Sequence, residues 1–297
     1  MTNPKAQNPV PLSVDRHGMR RWRRFSDYGF VRTRRMVPVV LAEADLVAAC
    51  LPLVFAAQGD GPPQPVALLR LAAETTPFVD VQGRWLAPYV PAIVRVHPFS
   101  ARPATDNSER MVLLVDEAGG FMTDDVHQPR FFDPFGAPDP ALEAVVTFFQ
   151  QFEVSGRATR TACAALQAEG LFEPLDAKDT GLADLFGIDR AALVGLGDAA
   201  FLRLRSAGAI DLAQAHFVGS AQLAFLRRAE AALAAGAVPD GAGLGLTGLP
   251  GNTAAAPSSG LADFLAALAA AEDGGDQDHA AFAPPTIGVT GRNGGQE

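Results

Sequence analysis

The order of the predicted elements is the feature that most constrains the fold of this chain. Short apolar runs separated by turn residues occupy residues 53–115, whereas runs with helical spacing, apart from one early helix at 43–51, begin at Asp139. Consecutive short strands favour an antiparallel sheet, because a parallel sheet needs strands that alternate with helices. We therefore predict an α+β fold, in which a mostly antiparallel sheet with one early helix precedes a helical part and a disordered tail.

The predicted β-rich part extends over residues 37–135. It begins with a helix that stops before Pro52, because proline cannot continue a helical hydrogen-bond ladder. Turn residues then separate runs of alternating or continuous apolar character. The predicted elements are a helix at 43–51 and strands at 53–57, 65–71, 78–81, 84–86, 92–96 and 111–115.

The predicted helical part, residues 136–235, is packed on the β-rich part. Asp139 is a good N-cap and is followed by Pro140 at the first helical position. Glycines after the apolar stripes are typical helix ends. The predicted helices begin at residues 140, 159, 198 and 210, and the last extends to about 235 with a bend near Gly219.

Residues 1–36 form a predicted basic lead-in segment. Nine Lys and Arg residues but only two acidic ones lie within residues 1–40, although the whole chain carries a net charge of −9. Such a segment could bind nucleic acid or anionic lipid. We favour a folded segment whose arginines contact acidic groups elsewhere, because the molecule as a whole would be repelled by polyanions. Nucleic acid is therefore not an expected partner.

Several protein classes do not fit this composition. Two cysteines, Cys50 and Cys163, cannot form a disulfide scaffold or a four-thiolate zinc site. No apolar run reaches the length of a membrane span, and the N-terminus lacks an apolar signal segment. We expect a cytoplasmic protein, with surface association left open.

No motif with a known catalytic mechanism is present, so we predict no catalytic residues, cofactor or metal. The spacing at Gly243, Gly245 and Gly248 matches a dinucleotide fingerprint, but it lacks the preceding strand. A composite metal site from His97, His127 and Asp124 or Asp125 is a minor alternative.

The segment from Gly83 to Phe99 combines aromatic residues and prolines that stiffen the backbone. It could form the wall of a pocket for a small-molecule or peptide ligand, or a structural corner over the core, and we favour the corner. The candidate pocket residues are Trp85, Tyr89, Arg95 and His97.

The predicted tail, residues 236–297, is rich in Gly, Ala and Pro, which disfavours a packed core. Within it, residues 261–270 have the spacing of a short amphipathic helix. This helix could dock on a protein partner, pack on the parent domain or have no role. The partner-docking candidates are Leu261, Phe264, Leu265 and Leu268.

Several motifs occur here in an order that one protein family shares. The stretch FVDVQGRWLAPYVPAIVRVHPF resembles the Gly-x-Trp, Tyr-Val-Pro-Ala and Pro-Phe signature of the SapC family. Val37-Pro38 with Glu43, and Phe131-Phe132-Asp133 with Gly136, resemble further family motifs. The resemblance implies a bacterial protein related to one linked with surface layers, and it implies no catalytic residues.

These observations together favour a non-enzymatic accessory or binding protein. One alternative is an enzyme, or the partner of an enzyme, that acts on an aromatic or peptidic small molecule. A second alternative, which follows from the family resemblance alone, is a structural protein associated with a surface layer.

Overall fold

The computed structural model describes residues 9–105, 110–176, 183–236 and 287–288. It confirms the α+β class, with sheets in the N-terminal part of the chain and helices in the C-terminal part. The strands are β1 (Pro9–Pro11), β2 (Arg21–Trp22), β3 (Met36–Pro38), β4 (Leu53–Ala56), β5 (Gln64–Leu68), β6 (Phe99–Pro103), β7 (Met111–Asp116), β8 (Met122–Thr123), β9 (Phe172–Pro174), β10 (Leu185–Ile188) and β11 (Ile287–Gly288).

The α-helices of the described residues vary widely in length. They are α1 (Val14–His17), α2 (Ala44–Ala48), α3 (Ala92–Arg95), α4 (Pro140–Ala168), α5 (Arg190–Val194), α6 (Asp198–Ser206), α7 (Ala209–Ser220) and α8 (Gln222–Ala234). Short 3-10 turns occur at Gly29–Val31 and Leu41–Glu43. Among these described helices, none combines the length and the apolar character needed to cross a membrane.

The described residues form two compact units, each assembled from separate parts of the chain. The first unit comprises the described residues of Met1–Ser26, Val96–Val154 and Pro257–Glu297. The second comprises those of Asp27–Arg95 and Ser155–Ala256. The domain boundaries that we placed after residues 36, 135 and 235 stay predictions.

A small sheet around β7 organises the first unit. Strands β1 and β6 pair antiparallel with β7, and β11 pairs parallel with its first residues. Three buried aromatic rings pack nearby, and the ring centroids of Trp22 and Phe99 lie 4.8 Å apart in an edge-to-face arrangement. Their apolar surface supplies much of the core of this unit.

The second unit contains a five-stranded antiparallel sheet in the order β3-β5-β4-β10-β9. Its β4–β5 pair, with Leu53 opposite Ala67, confirms the first predicted hairpin. Helix α7 packs on β4 and approaches it closely at Gly219. A Cβ atom at Gly219 would lie 2.6 Å from the Cβ atom of Leu53, so only glycine fits there.

The predicted strand at residues 92–96 is wrong, because Ala92–Arg95 forms helix α3. The β-branched residues Ile93 and Val94 favoured a strand in the sequence. In the folded chain, however, a carboxylate oxygen of Glu43 accepts a hydrogen bond from the Ala92 N–H, where the helical turn begins. A tertiary contact therefore overrides the local strand preference.

The predicted second hairpin is reduced to an isolated bridge between Val79 and Trp85. Gly83 in its turn adopts φ of +80°, as expected of a tight turn, but no paired strands extend from it. The segment 78–86 is therefore irregular chain, which leaves its side chains free to pack in several directions.

Two helix boundaries also differ from prediction. The predicted helices beginning at residues 140 and 159 are one helix, α4, because the Thr159 hydroxyl binds the Ser155 carbonyl and the Leu41 N–H instead of capping a helix. The predicted long helix after residue 210 is two helices, α7 and α8, which meet at Ala221.

Candidate functional site

Trp85 is the centre of an aromatic cluster in the second unit. Only 8% of its surface is exposed, and its ring lies 5.7 Å from that of Tyr28 and 6.3 Å from that of Phe78, between centroids. Its indole Nε1 donates a hydrogen bond of 2.9 Å to the Tyr89 carbonyl oxygen. The ring therefore packs in the core, and its polar atom ties together the two ends of residues 85–89.

Tyr89 extends from this segment towards a buried carboxylate, Glu43. The Tyr89 hydroxyl donates a 2.9 Å hydrogen bond to Glu43 Oε2, and the Ala92 N–H donates one of 2.8 Å to the same oxygen. Glu43 is only 1% exposed. Among the described residues, its other oxygen, Oε1, has no hydrogen-bond partner. One carboxylate oxygen thus holds two donors, while the other is buried without one.

Burial raises the pKa of Glu43 to about 7, because an apolar environment disfavours the charged carboxylate. The hydrogen bonds from Ala92 and Tyr89 and the positive charge of Arg95 oppose this effect only in part. Burial and the Glu43 charge both raise the pKa of Tyr89 above its usual range. Tyr89 is therefore a neutral hydrogen-bond donor, whereas Glu43 can gain or lose a proton near neutrality.

Arg95 covers the half-buried Tyr89 ring. Its guanidinium carbon lies 4.5 Å from the Tyr89 ring centroid, which is a cation–π contact. Its Nε donates a 2.6 Å hydrogen bond to the Val90 carbonyl oxygen. These contacts give the Arg95 charge a fixed position beside the Glu43–Tyr89 pair.

Hydroxyl groups of α4 fix the turn that carries Glu43. The Leu41 N–H donates to the Thr159 hydroxyl at 2.8 Å, and the Ala42 N–H donates to the Ser155 hydroxyl at 3.2 Å. These hydroxyls satisfy N–H groups at the start of a helical segment, which have no partner within it. The position of Glu43 is therefore set by backbone contacts on one side and by Tyr89 on the other.

Of the four predicted pocket residues, the structure brings Trp85, Tyr89 and Arg95 together in the second unit. His97 belongs to the first unit, where its ring centroid lies 4.7 Å from that of Phe121 in an edge-to-face contact. The four partner-docking candidates, Leu261, Phe264, Leu265 and Leu268, lie outside the described residues.

Sequence reasoning missed Glu43 as a site residue and treated it as a member of a helix. The available signal was a single carboxylate in line with the apolar residues Leu46 and Val47. A charged residue on an apolar helical stripe is rarely buried without a partner. Glu43 also lies in a motif that carries the SapC resemblance, as do Trp85 and Tyr89, and in the folded chain these motifs meet.

The other nucleophilic or basic side chains buried in the second unit have structural roles. His216 Nδ1 lies 2.9 Å from the Leu53 carbonyl oxygen, and its Nε2 accepts a hydrogen bond from the Ile188 N–H. Burial lowers the pKa of His216, so the neutral ring with both nitrogens occupied is favoured. Burial raises the pKa of Cys50 to about 11 and that of Cys163 to about 12, which keeps both thiols protonated.

Metal-binding residues are not clustered in the described part of the chain. No three His, Cys, Asp or Glu side chains there are grouped so that they could hold a metal ion. The alternative metal site from His97, His127 and Asp124 or Asp125 is therefore not formed.

Comparison with known proteins points to one family. Neither the curated proteins nor the solved structures include a match to this chain. The SapC family matches residues 12–226, which is more than two thirds of the chain and includes Glu43, Trp85, Tyr89 and Arg95. The chain belongs to the SapC family.

Proposed function

We propose that this chain is a non-enzymatic accessory or binding protein. The observation that carries the proposal is the inward direction of the polar atoms in the candidate pocket. Trp85 Nε1, the Tyr89 hydroxyl and Arg95 Nε all donate to acceptors of the same unit. Groups that are occupied in this way hold a corner of the fold together, whereas a ligand pocket needs polar groups that converge on open space.

The state of the reactive side chains supports the same proposal. Both buried thiols have raised pKa values, so neither is an activated nucleophile. His216 uses both ring nitrogens for backbone contacts, and a general base needs one nitrogen available for substrate.

Three consecutive helices of the second unit present apolar side chains that a binding protein could use. Helix α6 packs on α7, and Arg190 of α5 lies over the Phe217 ring of α7 at 3.9 Å. Contiguous exposed apolar patches mark interaction surfaces, and we propose that the exposed apolar residues of these helices form one. We call this proposed surface the α5–α7 face: Val194, Phe201, Leu202 and Val218, with exposed fractions from 44% to 80%.

Site-specific photo-crosslinking tests the α5–α7 face. The photoreactive residue p-benzoylphenylalanine replaces Phe201 in one variant and the exposed Ala232 of α8 in a matched control. We expect a discrete crosslinked product in the producing cells from position 201 and none from position 232. Equal products from both positions would contradict the proposal. A product of twice the chain mass would identify a second copy as the partner.

The same proposal extends to the segment 261–270, as a helix that docks on a protein partner. Its four apolar candidates include Phe264 and Leu268, which are spaced by one helical turn. We expect Phe264→Ala with Leu268→Ala to leave the melting temperature unchanged and to abolish partner capture. A markedly lower melting temperature would show instead that the segment packs on its own domain.

An enzyme, or the partner of an enzyme, acting on an aromatic or peptidic small molecule is the second candidate. It is favoured by the Glu43 carboxyl, whose pKa of about 7 suits proton transfer at neutral pH. Absorbance spectra, metal analysis and a ligand screen of the purified protein test this candidate. A bound flavin or iron, or a ligand whose binding is lost in Glu43→Gln but kept in Glu74→Gln, would replace the first proposal.

A further inference from the structure

Glu230 of helix α8 places its carboxylate on three consecutive backbone N–H groups. Oε1 accepts a hydrogen bond from the Leu71 N–H, and Oε2 accepts from the N–H groups of Ala72 at 3.0 Å and Ala73 at 3.2 Å. We call these three N–H groups the 71–73 cradle. Glu230 is 9% exposed, so this charge is held largely by the cradle instead of by water.

The backbone of the cradle is positioned by contacts that do not involve Glu230. The Leu69 and Arg70 N–H groups both donate to the Arg35 carbonyl oxygen, at 2.8 and 3.2 Å. The Thr76 hydroxyl donates to the Leu69 carbonyl oxygen at 2.6 Å. Because both sides of the cradle are anchored, its N–H groups should keep their direction when Glu230 is removed.

A positive charge lies beside the cradle. The Arg70 guanidinium donates to the Thr33 carbonyl oxygen at 3.0 Å and to the Ala73 carbonyl oxygen at 2.6 Å. Convergent N–H groups with a neighbouring guanidinium favour an anion. One of the three donors binds Oε1 of Glu230, and the other two bind Oε2. The arrangement therefore fits the two oxygens of a carboxylate.

We propose that the 71–73 cradle is a carboxylate-binding site, which Glu230 occupies in cis and which a carboxylate of a ligand or partner takes when Glu230 is displaced. The cradle lies inside the family-matched residues 12–226, whereas Glu230 lies beyond them. In this proposal the resident carboxylate of Glu230 acts as an internal competitor for the site. The site involves none of the α5–α7 face, so it stands or falls independently of the proposed function.

Helix α8 has other anchors, so the site can be emptied in the full chain. The Phe225 ring lies 6.2 Å from that of Phe78, and Leu226 is fully buried. Glu230→Ala is therefore expected to stay folded, with unchanged helical circular dichroism. Glu74→Ala, which removes an exposed carboxylate next to the cradle, is the matched control.

Acetate is the probe, with sodium chloride at equal ionic strength as the reference. Binding only to the folded state should raise the melting temperature of Glu230→Ala by roughly 3–6 °C at about ten times the dissociation constant. Wild type and Glu74→Ala should not respond. A blocked Ala-Glu-Ala peptide, compared with Ala-Gln-Ala, then distinguishes a side-chain carboxylate from a small free acid as the ligand.

Hydrogen exchange gives a second measurement on the same variant. The amides of residues 71–73 should exchange faster in Glu230→Ala and regain protection in acetate. No thermal response and no regained protection, or an equal response in wild type, would overturn the proposal. If Glu230→Ala does not fold, folding restored by acetate but not by chloride supports the site, and failure in both overturns it.

Discussion

Glu43 and Glu230 are both carboxylates buried in the second unit, and both accept hydrogen bonds from backbone N–H groups. Glu230 uses both of its oxygens and has three donors. Glu43 has two donors on one oxygen and, among the described residues, none on the other. Glu43 is 1% exposed and Glu230 is 9% exposed, so Glu43 has both the deeper burial and the fewer donors, and each raises the cost of its charge. Glu230 fills its cradle of donors in the unliganded chain, whereas the half-bound Glu43 is ready to take up a proton.

The largest expected effect comes from removing the buried Trp85 ring, which packs near Tyr28 and Phe78. Trp85→Ala should lower the free energy of unfolding by roughly 3–5 kcal/mol, because it empties a buried ring site. Urea unfolding measures this loss, and Val81→Ala, at an exposed position of the same segment, is the control. Unchanged unfolding with lost ligand binding would show that the ring faces a ligand.

The pH dependence of stability tests the half-bound state of Glu43. Its pKa is about 7 in the folded chain and 4.5 as an unperturbed group. Between these values the native state holds a proton that the unfolded state has lost, so stability should fall as pH rises from 4.5 through 7, by about 3 kcal/mol.

Glu43→Gln should remove this loss, because the amide cannot ionise. Urea unfolding at pH 5 and pH 8 measures the free energy of unfolding of both proteins. Relative to wild type, the value for the variant should increase by up to about 3 kcal/mol between these pH values. Subtracting the two proteins cancels the buried histidines, whose lowered pKa values act in the opposite direction. A difference between the proteins that is the same at both pH values would show that Glu43 stays charged.

At pH 8, Glu230→Gln should lower the free energy of unfolding, whereas Glu43→Gln should raise it. An amide keeps one acceptor oxygen but turns an NH₂ group towards the cradle, so about 1–3 kcal/mol of stability should be lost. Urea unfolding at pH 8 compares it with Glu74→Gln, which should be neutral. If Glu230→Gln proved as stable as wild type, the contrast between the two carboxylates would disappear.

The smallest effect is expected from Tyr89→Phe, which removes one of the two donors to Glu43. The loss should be about 1 kcal/mol. The pKa of Glu43 should rise further, so the midpoint of the pH-dependent stability change should move to higher pH. Tyr28→Phe, in the same aromatic cluster, is the control. An unmoved midpoint in Tyr89→Phe would mean that this hydrogen bond does not influence Glu43.

Local signals predicted the elements that local interactions stabilise. The β4–β5 hairpin follows from two apolar runs around a turn, and α4 begins where Asp139 accepts a hydrogen bond from the Ala141 N–H. Gly170, with φ of +66°, lies just after the end of α4, where a glycine is expected to terminate the helix. Each of these features depends on residues that are close in the sequence.

The elements that the sequence predicted wrongly depend on contacts between residues that are far apart in the chain. Helix α3 begins where Ala92 donates to Glu43, 49 residues away, and Thr159 binds Leu41, 118 residues away. A propensity or capping pattern contains no information about such distant partners. Local patterns alone therefore predict a strand at 92–96 and a helix start at Thr159. The sequence singles out Trp85, Tyr89 and Arg95 as an unusual group. It does not show that the Tyr89 hydroxyl donates a hydrogen bond to Glu43.

The sequence by itself determined the α+β class, the family and the prominence of the segment with Trp85, Tyr89 and Arg95, because hydrophobic period, turn residues and motif order are properties of the chain. Only the tertiary structure decided which carboxylates are buried and how many donors each one has. That difference separates Glu43, whose proton is labile near neutrality, from Glu230, which is anchored on three backbone N–H groups. The physical reason is that desolvation and hydrogen bonding depend on distances between groups that the chain brings together only on folding.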